Sequence, residues 1–351
     1  MKPYTQYLTL GLLSMVFLTA CDPDTEKKEE EKEIQALQLH IDRDHELMNI
    51  LFPEGTDLQV LGEGFEWTEG PLWLEEEGKL LFSDIPNNAV LQWSEGQGVS
   101  SYLKPAGYTG DTPRGGESGS NGLLLSPDGE LVLCQHGDRR MAAMKAPLDQ
   151  PEAKFETIVG TYEGKRFNSP NDAVYDLSGN LYFTDPAYGL EERMDDPKKE
   201  LDFQGVYRYN AEEDELLLLV DSISRPNGIA FLPGENALII ANSDPEKPVW
   251  YIYSVLEQGR SLANGQIFFD ANEAFKEDEG LPDGLKITKN GIVMATGPGG
   301  IWVFDAHGEK LGRLKVNDLV SNVALDEKGG FLYATANSQL IRIPFQLPSE
   351  E

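Results

Sequence analysis

The run Leu281-Pro282-Asp283-Gly284-Leu285, followed by Gly291-Ile292-Val293-Met294-Ala295-Thr296, decides the fold because its plan recurs along the chain. A polar residue beside a Gly or Pro opens each unit. An apolar strand, a Gly-containing turn and a second apolar strand follow. The other units begin at Trp67-Thr68-Glu69-Gly70-Pro71-Leu72-Trp73, Ser120-Asn121-Gly122-Leu123, Ser169-Pro170-Asn171-Asp172-Ala173-Val174, Arg225-Pro226-Asn227-Gly228-Ile229 and Ser321-Asn322-Val323-Ala324. The turns Ser126-Pro127-Asp128-Gly129 and Leu177-Ser178-Gly179-Asn180 have hairpin chemistry. Marker positions 69, 121, 171, 227, 283 and 322 are spaced by 52, 50, 56, 56 and 39 residues, which suits one propeller blade plus variable loops.

Further strands such as Val206-Tyr207-Arg208-Tyr209 and Ile301-Trp302-Val303-Phe304 bring the units towards four strands each. A β-sandwich would not repeat one polar marker at one point of every unit, and long helical crossovers are missing. The sequence therefore predicts an all-β fold, a six-bladed β-propeller with an axial divalent-metal site. The first strand of a blade lines the channel, so Glu69, Asn121, Asn171, Asn227, Asp283 and Asn322 should converge there. Singly, each Asn or Asp reads as a turn residue. Six oxygen donors in register read as a site, and hard donors favour Ca²⁺, Mg²⁺ or Mn²⁺ over Zn²⁺.

Composition agrees with one large folded unit. The 351 residues are 40% hydrophobic, with 35 Gly and 21 Pro. With 29 basic against 60 acidic residues the formal charge is −31, which argues against nucleic-acid and anionic-surface partners. Residues 1–21 have signal-peptide form, a basic start and an apolar run ending in Leu18-Thr19-Ala20-Cys21. Cys21 is expected to carry lipid, giving an exported protein anchored to the bacterial cell envelope, with membrane contact through that lipid only. Residues 22–57 are expected to be a charged tether and short N-terminal segment that includes a helix. Residues 58–347 form the propeller. With Cys21 consumed, Cys134 has no partner for an intrachain disulfide and reads as a packed, inert thiol. Nothing in the chain specifies an oligomeric state.

The segments Glu69-Gly70-Pro71-Leu72-Trp73, Pro170-Asn171-Asp172, Arg225-Pro226-Asn227-Gly228 and Leu281-Pro282-Asp283-Gly284 resemble the signature of the senescence marker protein, gluconolactonase and luciferin-regenerating enzyme family. The resemblance spans residues 58–345. It implies one axial divalent cation, Ca²⁺ first with Mg²⁺, Mn²⁺ or Zn²⁺ as alternatives, and hydrolysis of a small-molecule lactone, typically a sugar lactone. It also implies Glu69, Asn227 and Asp283 as metal ligands, with Asn171 a fourth ligand or substrate contact. Asn121, with Cys134-Gln135-His136-Gly137, resembles the bacterial gluconolactonase-like branch, except that Gln135 replaces an acid.

Lactone opening needs a proton acceptor, and Asp283 and His136 are the candidates. Asn121 and Arg225 are candidate substrate contacts. The loops 104–120 and 188–203 are long enough to frame the channel mouth. A phosphotriester hydrolase on the same metal site and a non-catalytic binding propeller with a structural metal remain as alternatives.

Overall fold

A computed structural model describes residues 36–348. The expected signal peptide, Cys21 and the acidic run after it lie outside the described residues.

Six antiparallel sheets of four or five strands follow one another along the described residues, with one small two-stranded ribbon, Thr161–Tyr162 with Lys165–Arg166, besides. The innermost strands are Thr68–Leu74, Ser120–Leu125, Ala173–Tyr175, Pro226–Phe231, Leu285–Ile287 and Val320–Asp326. Each touches its neighbours, and the contact of Val320–Asp326 with Thr68–Leu74 closes the ring. The second strands explain the uninterrupted apolar runs of the sequence. Leu131–Gln135, Leu181–Asp185 and Val293–Gly297 are buried at every position, because each is covered on both faces by adjacent blades. A strand buried on one face would alternate instead. Further out, Glu215–Val220 is mostly half-buried, as expected near a blade's outer edge.

Closure uses both ends of the domain. Gln59–Glu63 pairs antiparallel with Gln339–Pro344 and supplies the fourth strand of blade 6. The expected domain start near residue 58 must move earlier, because Leu39–Arg43 pairs with Lys310–Val316 as a fifth strand on blade 5. The helix expected in this segment is one short turn, Leu47–Leu51, after that strand. Met48, Leu51 and Phe52 are fully buried against Ile301, Val303 and Ile343, so hydrophobic burial holds the segment to blades 5 and 6.

Hydroxyls near the channel stitch blade to blade. Ser83 Oγ donates to Asn121 O at 2.8 Å, Thr296 Oγ1 to Ser321 O at 2.8 Å, and Ser321 Oγ to Thr68 O at 2.7 Å. Outside this belt, Trp73 stacks on Tyr333 at 5.1 Å across the junction of blades 1 and 6.

Candidate active site

The six markers are brought to one end of the channel. Five of them, Glu69, Asn121, Asn171, Asn227 and Asp283, line a cavity of about 610 Å³. Asn322 is buried behind them and donates from Nδ2 to Glu69 Oε2 at 3.2 Å, completing the ring as a support.

The glycine after most markers is needed for blade approach, rather than for a turn. A Cβ on Gly70 would stand 2.1 Å from Asn121 O, and one on Gly228 would stand 2.3 Å from Asp283 O. Neighbouring innermost strands meet backbone to backbone here. Gly70 also has a φ of 52°, a region that disfavours side chains. In blade 3 the equivalent residue is Asp172, which is buried. Its Oδ1 accepts from Ala173 N at 2.9 Å, and its Oδ2 lies 3.8 Å from Lys286 Nζ.

Side-chain orientation leaves several oxygens unused. Glu69 Oε2 accepts from Gly70 N at 2.8 Å as well as from Asn322. Asn227 Nδ2 donates to Ser243 Oγ at 2.9 Å, which fixes the amide plane, and Ser243 in turn donates to Pro282 O. Asn121 Oδ1 and Asp283 Oδ1 are buried with no hydrogen-bond partner. Burial pushes the Glu69 carboxyl up to about 8, and the Asp172 and Glu117 charges add to the rise against the lowering bond from Gly70. Asp283 is also held well above the usual carboxylate range, by burial first and then by Glu69, Asp172 and Glu117. Among the described residues no three His, Cys, Asp or Glu side chains cluster as a metal site. The axial set is mixed, with amide oxygens beside the two carboxylates.

The walls of the cavity differ in character. Trp67, Pro86, Phe275, Leu281 and Leu319 form an apolar side, while Glu117, Tyr188 and Arg193 come from the two long loops. Both loops thus frame the mouth as their length suggested. They are tied together by Arg114, which donates to Gly137 O at 2.8 Å and to Gly189 O.

Two sequence candidates sit elsewhere. His136 is fully buried and does not line the cavity. Its Nδ1 lies 3.4 Å from Glu117 Oε2, a residue of the cavity wall. His136 thus stands behind Glu117 rather than on the cavity wall. Arg225 also lies outside the lining, with its backbone N–H on Asn242 Oδ1 at 2.9 Å; its charge is felt by the lining Tyr188. Gln135 is structural, donating to Ala106 O at 2.8 Å and accepting from Arg140 at 2.7 Å. Cys134 is buried, and burial pushes its thiol well above the ordinary value, in keeping with inertness. Glu117, Tyr188 and Arg193 had no residue-level signal in the sequence. Only the loop lengths pointed to them.

A six-bladed propeller whose innermost strands bring two carboxylates and three asparagine amides to one axial cavity defines the class. The SMP-30/Gluconolactonase/LRE-like region matches residues 67–338, and the chain belongs to that family. A gluconolactonase of Zymomonas mobilis is 37% identical over 301 residues, covering 84% of this chain and 83% of that protein. The solved structure of a gluconolactonase from Xanthomonas campestris superposes with a TM-score of 0.74 at 27% identity, covering 87% of this chain and 94% of that one. A second solved structure, of a protein described as a putative gluconolactonase, gives the same TM-score and identity over 89% of this chain and all of its own.

Proposed function

We propose that this protein is a carboxylic-ester hydrolase that opens a sugar-type lactone with a divalent cation held on the propeller axis. One observation carries the reading. Glu69 and Asp283 are buried together, among other carboxylates and amide oxygens, and both are driven above their ordinary values. Like charges in such a place need protons or a cation to neutralise them. The relationship to the Zymomonas mobilis gluconolactonase supports the substrate class.

Glu69, Asn171, Asn227 and Asp283 would hold the ion, and their hard oxygens suit Ca²⁺ better than softer metals. When bound, the cation supplies Lewis-acid polarisation of the ring carbonyl and eases ionisation of water. The chain's own groups do the rest. Asp283 Oδ1, buried without a partner, accepts the proton of the attacking water. The water oxygen bonds to the carbonyl carbon, the ring C–O bond breaks, and the ring oxygen leaves as an alcohol carrying that proton. The product is a hydroxy acid. Asn121 Oδ1 accepts a substrate hydroxyl, and Glu117 accepts another. Arg225 supplies positive charge behind Tyr188. Trp67 and Phe275 cover the C–H side of the ring and exclude water.

The test is a panel of γ- and δ-lactones, assayed with EDTA-treated protein and after adding Ca²⁺, Mg²⁺, Mn²⁺ or Zn²⁺. Hydrolysis should need a cation and should be lost in Asp283→Asn. A background rate with every metal would remove the lactonase reading. The apolar wall favours one second reading, hydrolysis of a phosphotriester with apolar substituents at the same site. Turnover of an aryl phosphotriester with no lactone turnover would select it. We further propose export and lipidation at Cys21, checked by palmitate labelling that Cys21→Ala abolishes.

A further inference from the structure

A second cavity of about 230 Å³ opens beside the rim, between the loops 104–120 and 188–203. Arg114, Arg139, Arg166 and Lys198 all line it, in a chain whose formal charge is −31. Its acidic neighbours are already engaged. Asp138 accepts from Thr109 Oγ1 at 2.6 Å and from Arg140 at 2.9 Å. Asp196 accepts the backbone N–H groups of Glu192 and Lys198 at 3.0 and 2.8 Å, and Glu191 lies 3.3 Å from Lys198 Nζ.

The guanidinium groups are satisfied differently. Arg114 donates to the Gly137 and Gly189 carbonyls, and Arg166 Nη2 donates to Asp138 O at 2.8 Å. Arg139 Nε donates to Phe167 O at 2.6 Å and Nη1 to Lys198 O at 3.0 Å, with the Glu200 carboxylate no nearer than 3.6 Å. Carbonyls satisfy donors without cancelling a full charge. Arg139 is only 5% exposed, and its Nη2 is buried with no partner at all. A buried charged donor left unpaired is costly, and a planar guanidinium is matched best by a carboxylate or phosphate.

We infer that this cavity binds a small oxyanion, a carboxylate or a phosphate, held by the Arg166 guanidinium with Lys198 at its edge and the unpaired charge of Arg139 in the wall behind. The occupant neutralises clustered cations and spans the loops that deliver Glu117, Tyr188 and Arg193 to the axial cavity.

The experiment is isothermal titration calorimetry of the full chain with inorganic phosphate and, separately, with gluconate, at constant ionic strength in chloride. Arg166→Gln and Lys198→Gln are titrated alongside; both replace exposed side chains, and unchanged melting curves verify their folding. At least one anion should bind saturably, tenfold or more weakly in Arg166→Gln. Phosphate binding that depends on Arg166 assigns the phosphate class, and gluconate binding that depends on Arg166 assigns the carboxylate class. Gluconate binding that survives Arg166→Gln belongs to the axial cavity and counts against the inference. No saturable binding of either anion, or binding indifferent to Arg166, overturns it. None of these readouts needs lactone turnover, so the result stands apart from the proposed activity.

Discussion

His136 Nδ1 stands 3.4 Å from Glu117 Oε2, with the histidine wholly buried and the glutamate on the cavity wall. Arg193 approaches the other oxygen, Glu117 Oε1, at 3.7 Å. Glu117 thereby lies between a buried group behind it and an exposed charge at the mouth. The His136 contact lacks hydrogen-bond geometry, with both ring nitrogens unpartnered. Such contacts often tighten only when substrate is present.

This relationship predicts coupled kinetics. Glu117→Gln should lower kcat/KM, and His136→Gln should lower it less, acting through Glu117. In a double-mutant cycle the pair should show a coupling of about 0.5–3 kcal/mol, as for residues in direct contact. Strictly additive losses would mean that His136 does not position Glu117. A purely structural histidine would lower the melting temperature without coupling.

The axial carboxylates predict how stability responds to pH and metal. In the unfolded chain Glu69 and Asp283 ionise at the ordinary values of about 4.5 and 3.8, whereas in the fold both are raised, Glu69 to about 8. The folded state therefore holds these protons at a pH where the unfolded state has released them. Stability without cation should fall as pH rises from about 4 through 8. A cation that replaces the protons binds the folded state alone and offsets the loss. Melting of Ca²⁺-loaded and EDTA-treated protein should diverge as pH rises from about 5 to 8. A gap that stays constant or narrows would contradict axial cation binding.

The blade contacts predict an effect of a single methyl group. Gly228→Ala would put a Cβ 2.3 Å from the Asp283 carbonyl, between two closely packed backbones. Leu285 Cδ2, 2.8 Å away, can turn aside, but the Asp283 carbonyl and the Gly284 Cα are backbone, so blades 4 and 5 must separate. Overpacking of this kind costs about 1–3 kcal/mol and would displace Asp283 from the cavity. Both the denaturation midpoint and lactone turnover should drop. Wild-type values for both would show that the backbones have room to relax.

Much of this arrangement was legible from residue order, because repetition encodes it. The marker Asn227 and the marker Asp283 each open an innermost strand, so symmetry alone placed them on one axis. The apolar run Leu131-Val132-Leu133-Cys134 read as a buried strand, and the structure buries it at every position. Legibility ended where the repeat ended. Glu117 and Tyr188 sit on non-repeating loops, and their approach to the axis depends on long-range bonds from Arg114 to Gly137 and Gly189. His136 shows the complementary limit. Its place after a core strand suggested the cavity, yet side-chain direction buried it behind Glu117. The N-terminal strand Leu39–Arg43 was hidden for another reason, since its partner Lys310–Val316 lies more than 260 residues away.

That strand supports the last prediction. A chain starting at residue 58 keeps every blade's first four strands, as the repeat pattern would recommend. It nevertheless loses the fifth strand of blade 5 and the fully buried Met48, Leu51 and Phe52. Burying side chains of this size is worth roughly 1.5–3 kcal/mol each. It also removes Arg43, which donates to Met48 O at 2.9 Å and to Phe52 O at 2.5 Å. What remains is an uncovered Lys310–Val316 edge next to exposed apolar surface, a combination that invites association. The shortened chain should therefore melt well below a chain starting at residue 36 and should aggregate on heating, with the axial residues themselves unchanged. Equal melting temperatures and monomeric behaviour for the two chains would show that residues 36–57 are dispensable to the propeller.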